Sequence, residues 1–380
     1  MSSCWPFLSI KNRLLSLISN LNSFLRSLGT RAATVELSNS APSNRAMSSP
    51  KIAVVGAGII GISSALRILQ AFPGAEVTIF AESVSPDTTS DVAAGFWGPS
   101  YISNTPHELV ISWGKETYDH LVDLAKSDPQ SGKCGVFLAP GFELLSVDDP
   151  GTRYWSHIPL EFRRATPSEL SVFPSRIKSG IYFISAVAEG SKLIPHLTDQ
   201  FKALGGKLVE NHRVNSFSEL QQMGYKHIVN CTGLGAMKLC GDKTMFPIRG
   251  QVHRVAAPWL KFWFTSDDGT YCLMNTNFAV LGGVAQKGDW NMSVSETDKA
   301  GILSRNYAIW PSLRAAPVLA DLVGLRPGRD KVRLERENIG DCTVYHNYGH
   351  GGSGLTLFWG CAGDIVKLLK ADLQTAACKL

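Results

Sequence analysis

The chain has 380 residues, of which 44% are hydrophobic, and carries 37 Lys and Arg against 32 Asp and Glu for a formal net charge of +5. That length and apolar content bury one large core or two moderate ones, as expected of a soluble globular protein of one or two domains. The basic residues are scattered rather than gathered into a run, which argues against nucleic acid as a partner. The eight cysteines stand singly, with no CxxC pair and no Cys/His cluster at zinc spacing, so a reducing compartment and no structural metal are expected.

Residues 1–46 read as a targeting or disordered extension. Positions 1–35 contain no Asp or Glu, carry Lys11, Arg13, Arg26 and Arg31, and interleave leucine with serine in the manner of a mitochondrial transit peptide. Their apolar stretches are too short to span a bilayer. The following SNSAPSNRAMSSP has linker composition, and translation from Met47 would omit the extension.

The first strong element is Lys51–Val55, KIAVV, a continuous apolar run suited to a strand buried on both faces of a parallel sheet. It enters Gly56-Ala57-Gly58-Ile59-Ile60-Gly61 and then ISSALRILQAF, where Ile62, Ala65, Leu66 and Leu69 share a helical face. Pro73-Gly74 stops this helix and Glu76–Phe80 is the next strand, completing a βαβ unit. In such a turn the first glycine permits the bend, the second admits a pyrophosphate, and the third lets helix and strand pack closely. The helix N-terminus offers amide N–H groups to the phosphates. Glu82, at the end of the second strand, is placed to accept from ribose hydroxyls, which favours FAD or NAD over NADP.

A second apolar strand is expected at His227–Cys231, before Thr232-Gly233-Leu234-Gly235, with a helix near Leu193–Leu204. Between these α/β parts, and again after Gly250, the pattern turns to shorter strands and turn signals. The fold class is therefore α/β: a Rossmann-like dinucleotide-binding domain built from discontinuous segments, 50–95, 190–240 and 320–375, plus a sheet-rich α+β substrate domain from 96–189 and 241–319. Near the C-terminus Gly349, Gly351, Gly352 and Gly354 lead into LTLFWGCAGDIVKLL, a glycine loop entering a helix and another anion-friendly N-terminus. The final Cys378-Lys379-Leu380 is close to the Ser-Lys-Leu tripeptide read by the peroxisomal import receptor.

Six stretches resemble the family of D-amino-acid oxidases and D-aspartate oxidases: Thr88–Gly95, NCTGLG at 230–235, PIRGQV at 247–252, APW at 257–259, GLRP at 324–327, and Val344–Thr356. The likeness runs from about Lys51 to about Leu369. It implies FAD as cofactor, held by Gly56–Gly61, Glu82, Thr88, Thr89, Ser90, Ala94, Gly95, Val214, Gly351, Gly352, Ser353, Gly354, Leu355 and Thr356. It also implies that Arg326 binds the substrate carboxylate, that Tyr271 donates to the same group, and that Gly352 contributes backbone to the catalytic site. A planar guanidinium suits that task because it binds a carboxylate through two parallel hydrogen bonds.

The implied reaction is the oxidation of a D-amino acid by O2 to an imino acid, which hydrolyses to a 2-oxo acid and ammonia, with release of hydrogen peroxide. Orientation does most of the work, so no general base is assigned, and His346 and His350 are read as ordering the loop beside the flavin. A peroxide-forming oxidase suits a peroxisome; mitochondrion or cytosol are the alternatives, depending on the use of residues 1–46. No membrane span is expected, and a homodimer is the assembly considered.

Two branches of the family differ at the substrate side chain. The wording of GLGAMKLCGDKTMFPIRGQV and QKGDWN, and the short segment between Trp259 and Tyr271, resemble the D-aspartate oxidases and favour D-aspartate and D-glutamate. Against this, Thr265 and Ala285 stand where some of those enzymes have arginine, and Gly98 and Ser100 replace larger polar residues. Arg329 and Lys287 are the candidates for the second cation that an acidic side chain needs. The alternatives are an oxidase of neutral D-amino acids, a flavin-binding protein without catalysis, and an NAD-dependent dehydrogenase.

Overall fold

Strand Lys51–Val55 alternates its side chains between two apolar clusters: Ile52 and Val54 enter one with Ile62 and Leu66, while Ala53 and Val55 enter another with Phe217 and Leu220. This two-sided burial is why the run reads as uninterrupted apolar sequence rather than as alternation. The computed structural model describes residues 49–127 and 131–377. The extension 1–46 and the tripeptide Cys378-Lys379-Leu380 lie outside the described residues.

Lys51–Val55 pairs in parallel with Glu76–Phe80 on one side and His227–Asn230 on the other. Lys207–Val209 and Cys342–Tyr348 extend this sheet in parallel, and Arg333–Ile339 closes it as an antiparallel edge, giving six strands. Helix Ile59–Ala71 covers one face beside the C-terminal helix Gly354–Ala377. Helix His107–Ser127 crosses the latter at Gly360, where a Cβ would stand 2.4 Å from the Trp113 Cα. The Trp113 indole N–H donates to Asp364 at 2.7 Å and fixes the crossing.

A second sheet of nine strands is mostly antiparallel. Its path runs Gln286–Lys287, Phe246–Val255, Ala279–Gly282, Tyr271–Met274, Trp263–Ser266, Val136–Leu145, Ser179–Ala188 and Phe162–Arg164, with Val318–Gly328 on the far side of Phe246–Val255. On sequence alone residues 320–375 group with the dinucleotide-binding segments. In the structure Val318–Gly328 pairs along its length with Phe246–Val255, so Arg326 belongs to the larger sheet. The arginine of PIRGQV, Arg249, is fully buried. It donates to the carbonyls of Asn291 and Ser293 and to Gln286, Gln251 and Asp298, so the charge is both paired and hydrogen-bonded. It pins the 286–298 segment to the sheet, and no part of it lines the cavity described below.

The chain passes between the two sheets at Gly95 and Phe96. Phe96 forms an antiparallel bridge with Val187, and Gly95, at φ +78°, lies so close to Ala188 that a Cβ would meet its carbonyl oxygen at 2.7 Å. Asp91 secures the segment before it, accepting from Thr88 at 2.6 Å and from Ser85 at 2.6 Å, which accounts for the TTSD wording.

Within the first turn, a Cβ on Gly61 would stand 1.9 Å from the Gly56 carbonyl oxygen. Gly61→Ala gains helix propensity of about 1 kcal/mol, but the overlap costs about 1–3 kcal/mol. The expected net result is a lower urea midpoint and weaker flavin retention, measured by chemical unfolding and by flavin content after gel filtration. A midpoint equal to wild type would show that the turn relaxes freely.

Candidate functional site

A cavity of about 810 Å³ opens along the C-terminal ends of the parallel strands and continues over the face of the larger sheet. Its first end is built from Gly56, Ala57, Gly58, Ile59, Ile60, Glu82, Thr88, Thr89, Ser90 and Val214, with Ala94, Gly95, Gly351, Gly352, Gly354 and Leu355 further along. Gly61, Ser353 and Thr356 do not line it. Gly61 lies behind the turn. The Ser353 hydroxyl donates to the Ser100 carbonyl at 2.8 Å and accepts from the Ser100 N–H at 2.8 Å, while Thr356 pairs with Gly98 at 3.2 Å, so both side chains clamp the glycine loop to residues 98–100. The hydroxyls of those two residues thus support the loop.

The first end fits a dinucleotide. Gly58 caps helix Ile59–Ala71 with no side chain of its own, the Ile59 N–H donates to the Ser90 hydroxyl at 3.3 Å, and this N-terminus with the positive end of the helix dipole borders the cavity. Gly56 has φ +105°, and a Cβ there would press on the Cys231 carbonyl at 2.6 Å. Glu82 lies at the rim, its carboxylate 3.3 Å from Arg213 and more than half exposed. Two lining residues of the middle section, Asn347 and His350, carry buried polar atoms without partners, Oδ1 and Nε2. Burial pushes the His350 imidazole down to about 3 and keeps it neutral. His346 points elsewhere: it is buried between Asn230 and Glu337 and does not line the cavity.

The other end brings Arg326 and Tyr271 together. A Cβ on Gly250 would overlap the Arg326 guanidinium at 2.3 Å, and one on Gly282 would overlap the Tyr271 ring at 2.0 Å, so two glycines hold the space these side chains occupy. Arg326 donates to the Val284 carbonyl at 3.2 Å. Burial pushes the Tyr271 hydroxyl up, opposed by the nearby guanidinium. Tyr101, at φ +51°, sets its ring 5.6 Å from that guanidinium, from a loop with no motif to betray it.

Neither expected second cation reaches this end. Arg329 donates to Asp242 at 2.9 Å and to the Lys331 carbonyl, supporting Gly349 from behind. Burial alone would raise the Asp242 carboxyl, but donors from Thr244, Arg329 and Tyr348 hold it well below the usual carboxylate range. Lys287 lies over the Phe246 ring at 4.3 Å. The cavity is also lined by an ion pair that motif reading missed, Glu143 and Arg153. Among the described residues no cluster could hold a metal ion, and no helix is long and apolar enough to cross a membrane.

The model of the DAO family, FAD dependent oxidoreductase, matches residues 51–368. The chain belongs to this family. It is 38% identical over 332 residues to a D-amino acid oxidase of Dugesia ryukyuensis, covering 86% of this chain and 99% of that protein. It is likewise 38% identical over 329 residues to a D-aspartate oxidase of Homo sapiens, covering 85% and 95%. Among solved structures, the glycine oxidase of Geobacillus kaustophilus superposes with a TM-score of 0.69 at 19% identity, over 84% of this chain and 95% of that one, a likeness of fold. The protein is thus an FAD-dependent oxidoreductase, with FAD as the dinucleotide that the first end of the cavity accommodates.

Because the folded state keeps His350 neutral while the unfolded chain protonates near pH 6.5, the unfolded state binds more protons below that value. Stability is therefore expected to fall as pH drops from 6.5 towards 3. His120, stacked on Trp359 and also pushed down to about 3 by burial, acts in the same direction. Urea midpoints at pH 7 and pH 5 should differ less in His350→Phe than in wild type.

Proposed function

We propose that this enzyme catalyses the oxidative deamination of D-amino acids, with Arg326 and Tyr271 gripping the substrate carboxylate. The observation that carries this reading is the convergence of a guanidinium and a phenol hydroxyl over two glycines, in the same cavity as the dinucleotide site. Arg326 fixes charge and plane, Tyr271 adds a donor, and the Gly351-Gly352 backbone forms the adjoining wall. FAD supplies the two-electron acceptor and, on reaction with oxygen, hydrogen peroxide. The residues contribute orientation, and neutral His350 leaves the loop without a competing positive charge.

For the side chain, we propose D-aspartate and D-glutamate as substrates, with Arg153 as the second cation. The relatives named D-aspartate oxidase and the sequence stretches shared with that branch support this choice. One observation favours neutral D-amino acids as the second reading: Glu143 already engages Arg153.

Anaerobic D-aspartate should bleach the visible flavin absorbance while the L-enantiomer leaves it unchanged; an unbleached flavin with every D-amino acid would sink the reading. Arg326→Ala should raise KM by roughly 10²-fold or more with flavin still bound, and Tyr271→Phe by about tenfold. Loss of flavin from Arg326→Ala would contradict its assigned place. Peroxide release from D-alanine or D-methionine faster than from D-aspartate or D-glutamate, at equal concentration, would decide for the neutral reading.

A further inference from the structure

In the larger sheet Tyr271 pairs with Thr265, and Thr265 pairs with Glu143, so the three side chains stand in one row on one face. Neighbouring strands are about 4.8 Å apart, which puts the Glu143 backbone about 10 Å from that of Tyr271. Tyr271 leans the opposite way, over Gly282 and Gly283 towards Arg326. A side chain running back along the row from a carboxylate held at Arg326 therefore meets Thr265 first and Glu143 next. There Arg153 closes on Glu143 through Nη2 at 2.6 Å and Nε at 3.3 Å, and its Nη1 is held by the Pro150 carbonyl at 3.0 Å. Both residues are about one quarter exposed and both line the cavity.

We propose that the Glu143–Arg153 pair determines substrate specificity at the distal end of the side-chain pocket. This rests on the reading that Arg326 holds the substrate carboxylate. The paired charges sum to zero, and with Nη1 given to the Pro150 and Thr152 carbonyls they leave one Nη2 N–H donor beside the Glu143 carboxylate acceptor. A terminal amide matches both, with its oxygen towards Arg153 and its NH2 towards Glu143. A terminal carboxylate gains Arg153 but meets Glu143 as a like charge, so Glu143 restrains oxidation of acidic D-amino acids while Arg153 permits it. The pair thus sets the balance between the acidic and the neutral branch of substrates, in a chain where Thr265 and Ala285 carry no charge.

The test uses the flavin-loaded enzyme and the ratio of kcat/KM for D-glutamate to that for D-glutamine, two substrates of equal length. Glu143→Gln keeps an acceptor for Arg153 and should raise the ratio about tenfold or more; Arg153→Met should lower it by a similar factor, since each removes one charge from a partly dry wall. The double variant Glu143→Gln with Arg153→Gln should return the ratio towards the wild-type value. A ratio that moves in the same direction in both single variants, or in neither, would overturn the proposal. Should Arg153→Met fail to fold, Glu143→Gln decides alone, on the same criterion of a raised ratio. If the wild-type enzyme oxidises no D-amino acid, the reading at Arg326 fails; if it oxidises them and the ratio stays put, only the role of the pair fails.

Discussion

The contact between Gly61 and the carbonyl oxygen of Gly56 sets the geometry on which the cofactor end depends. With no Cβ at either position, helix Ile59–Ala71 starts directly against the end of strand Lys51–Val55. The helix then sets its amide end at the C-terminal edge of the strand, bordering the cavity. A wider turn would tilt the helix off the sheet, and with it helix Gly354–Ala377, which packs beside it and carries the glycine loop at its start. One backbone approach thus positions two glycine-rich segments that are almost three hundred residues apart in sequence.

A similar economy of side chains shapes the other end. Gly250 and Gly282 lie on neighbouring strands, and the room they leave is filled by Arg326 and Tyr271. The guanidinium lies between this glycine backbone and the Tyr101 ring, and both Arg326 and Tyr271 line the cavity. The buried charges away from the site follow a different rule. Arg249 is enclosed by five acceptor groups and Asp242 by four donors from Thr244, Arg329 and Tyr348, and these networks brace the segments that border the cavity.

This division explains which readings of the sequence carried through. The strands at Lys51–Val55 and Glu76–Phe80 have the expected bounds because each is specified by local pattern and by its own stop signals, while the helix between them starts at Ile59, inside the glycine turn and three residues ahead of the expected ISSALRILQAF. The loop at 349–354 was legible for the same reason. Ser353 and Thr356 belong to a loop that was recognised, yet their hydroxyls turn to residues 98–100, a pairing across more than 250 positions that no local pattern encodes. The same applies to Arg329 and Lys287: as charges they were visible, but Asp242 and Phe246 decide where they point.

By itself the sequence determined the class of cofactor, the glycine turns that admit it and the family to which the chain belongs, since these rest on short contiguous motifs with backbone requirements only glycine meets. Tertiary structure alone decided the row of side chains that runs away from Tyr271. Glu143, Thr265 and Tyr271 become neighbours only through strand register, and Arg153 joins them from a connecting segment beyond the strand. Charge in that pocket is a property of the pair and not of either residue, because the field felt by a substrate depends on how closely the carboxylate and the guanidinium are held together.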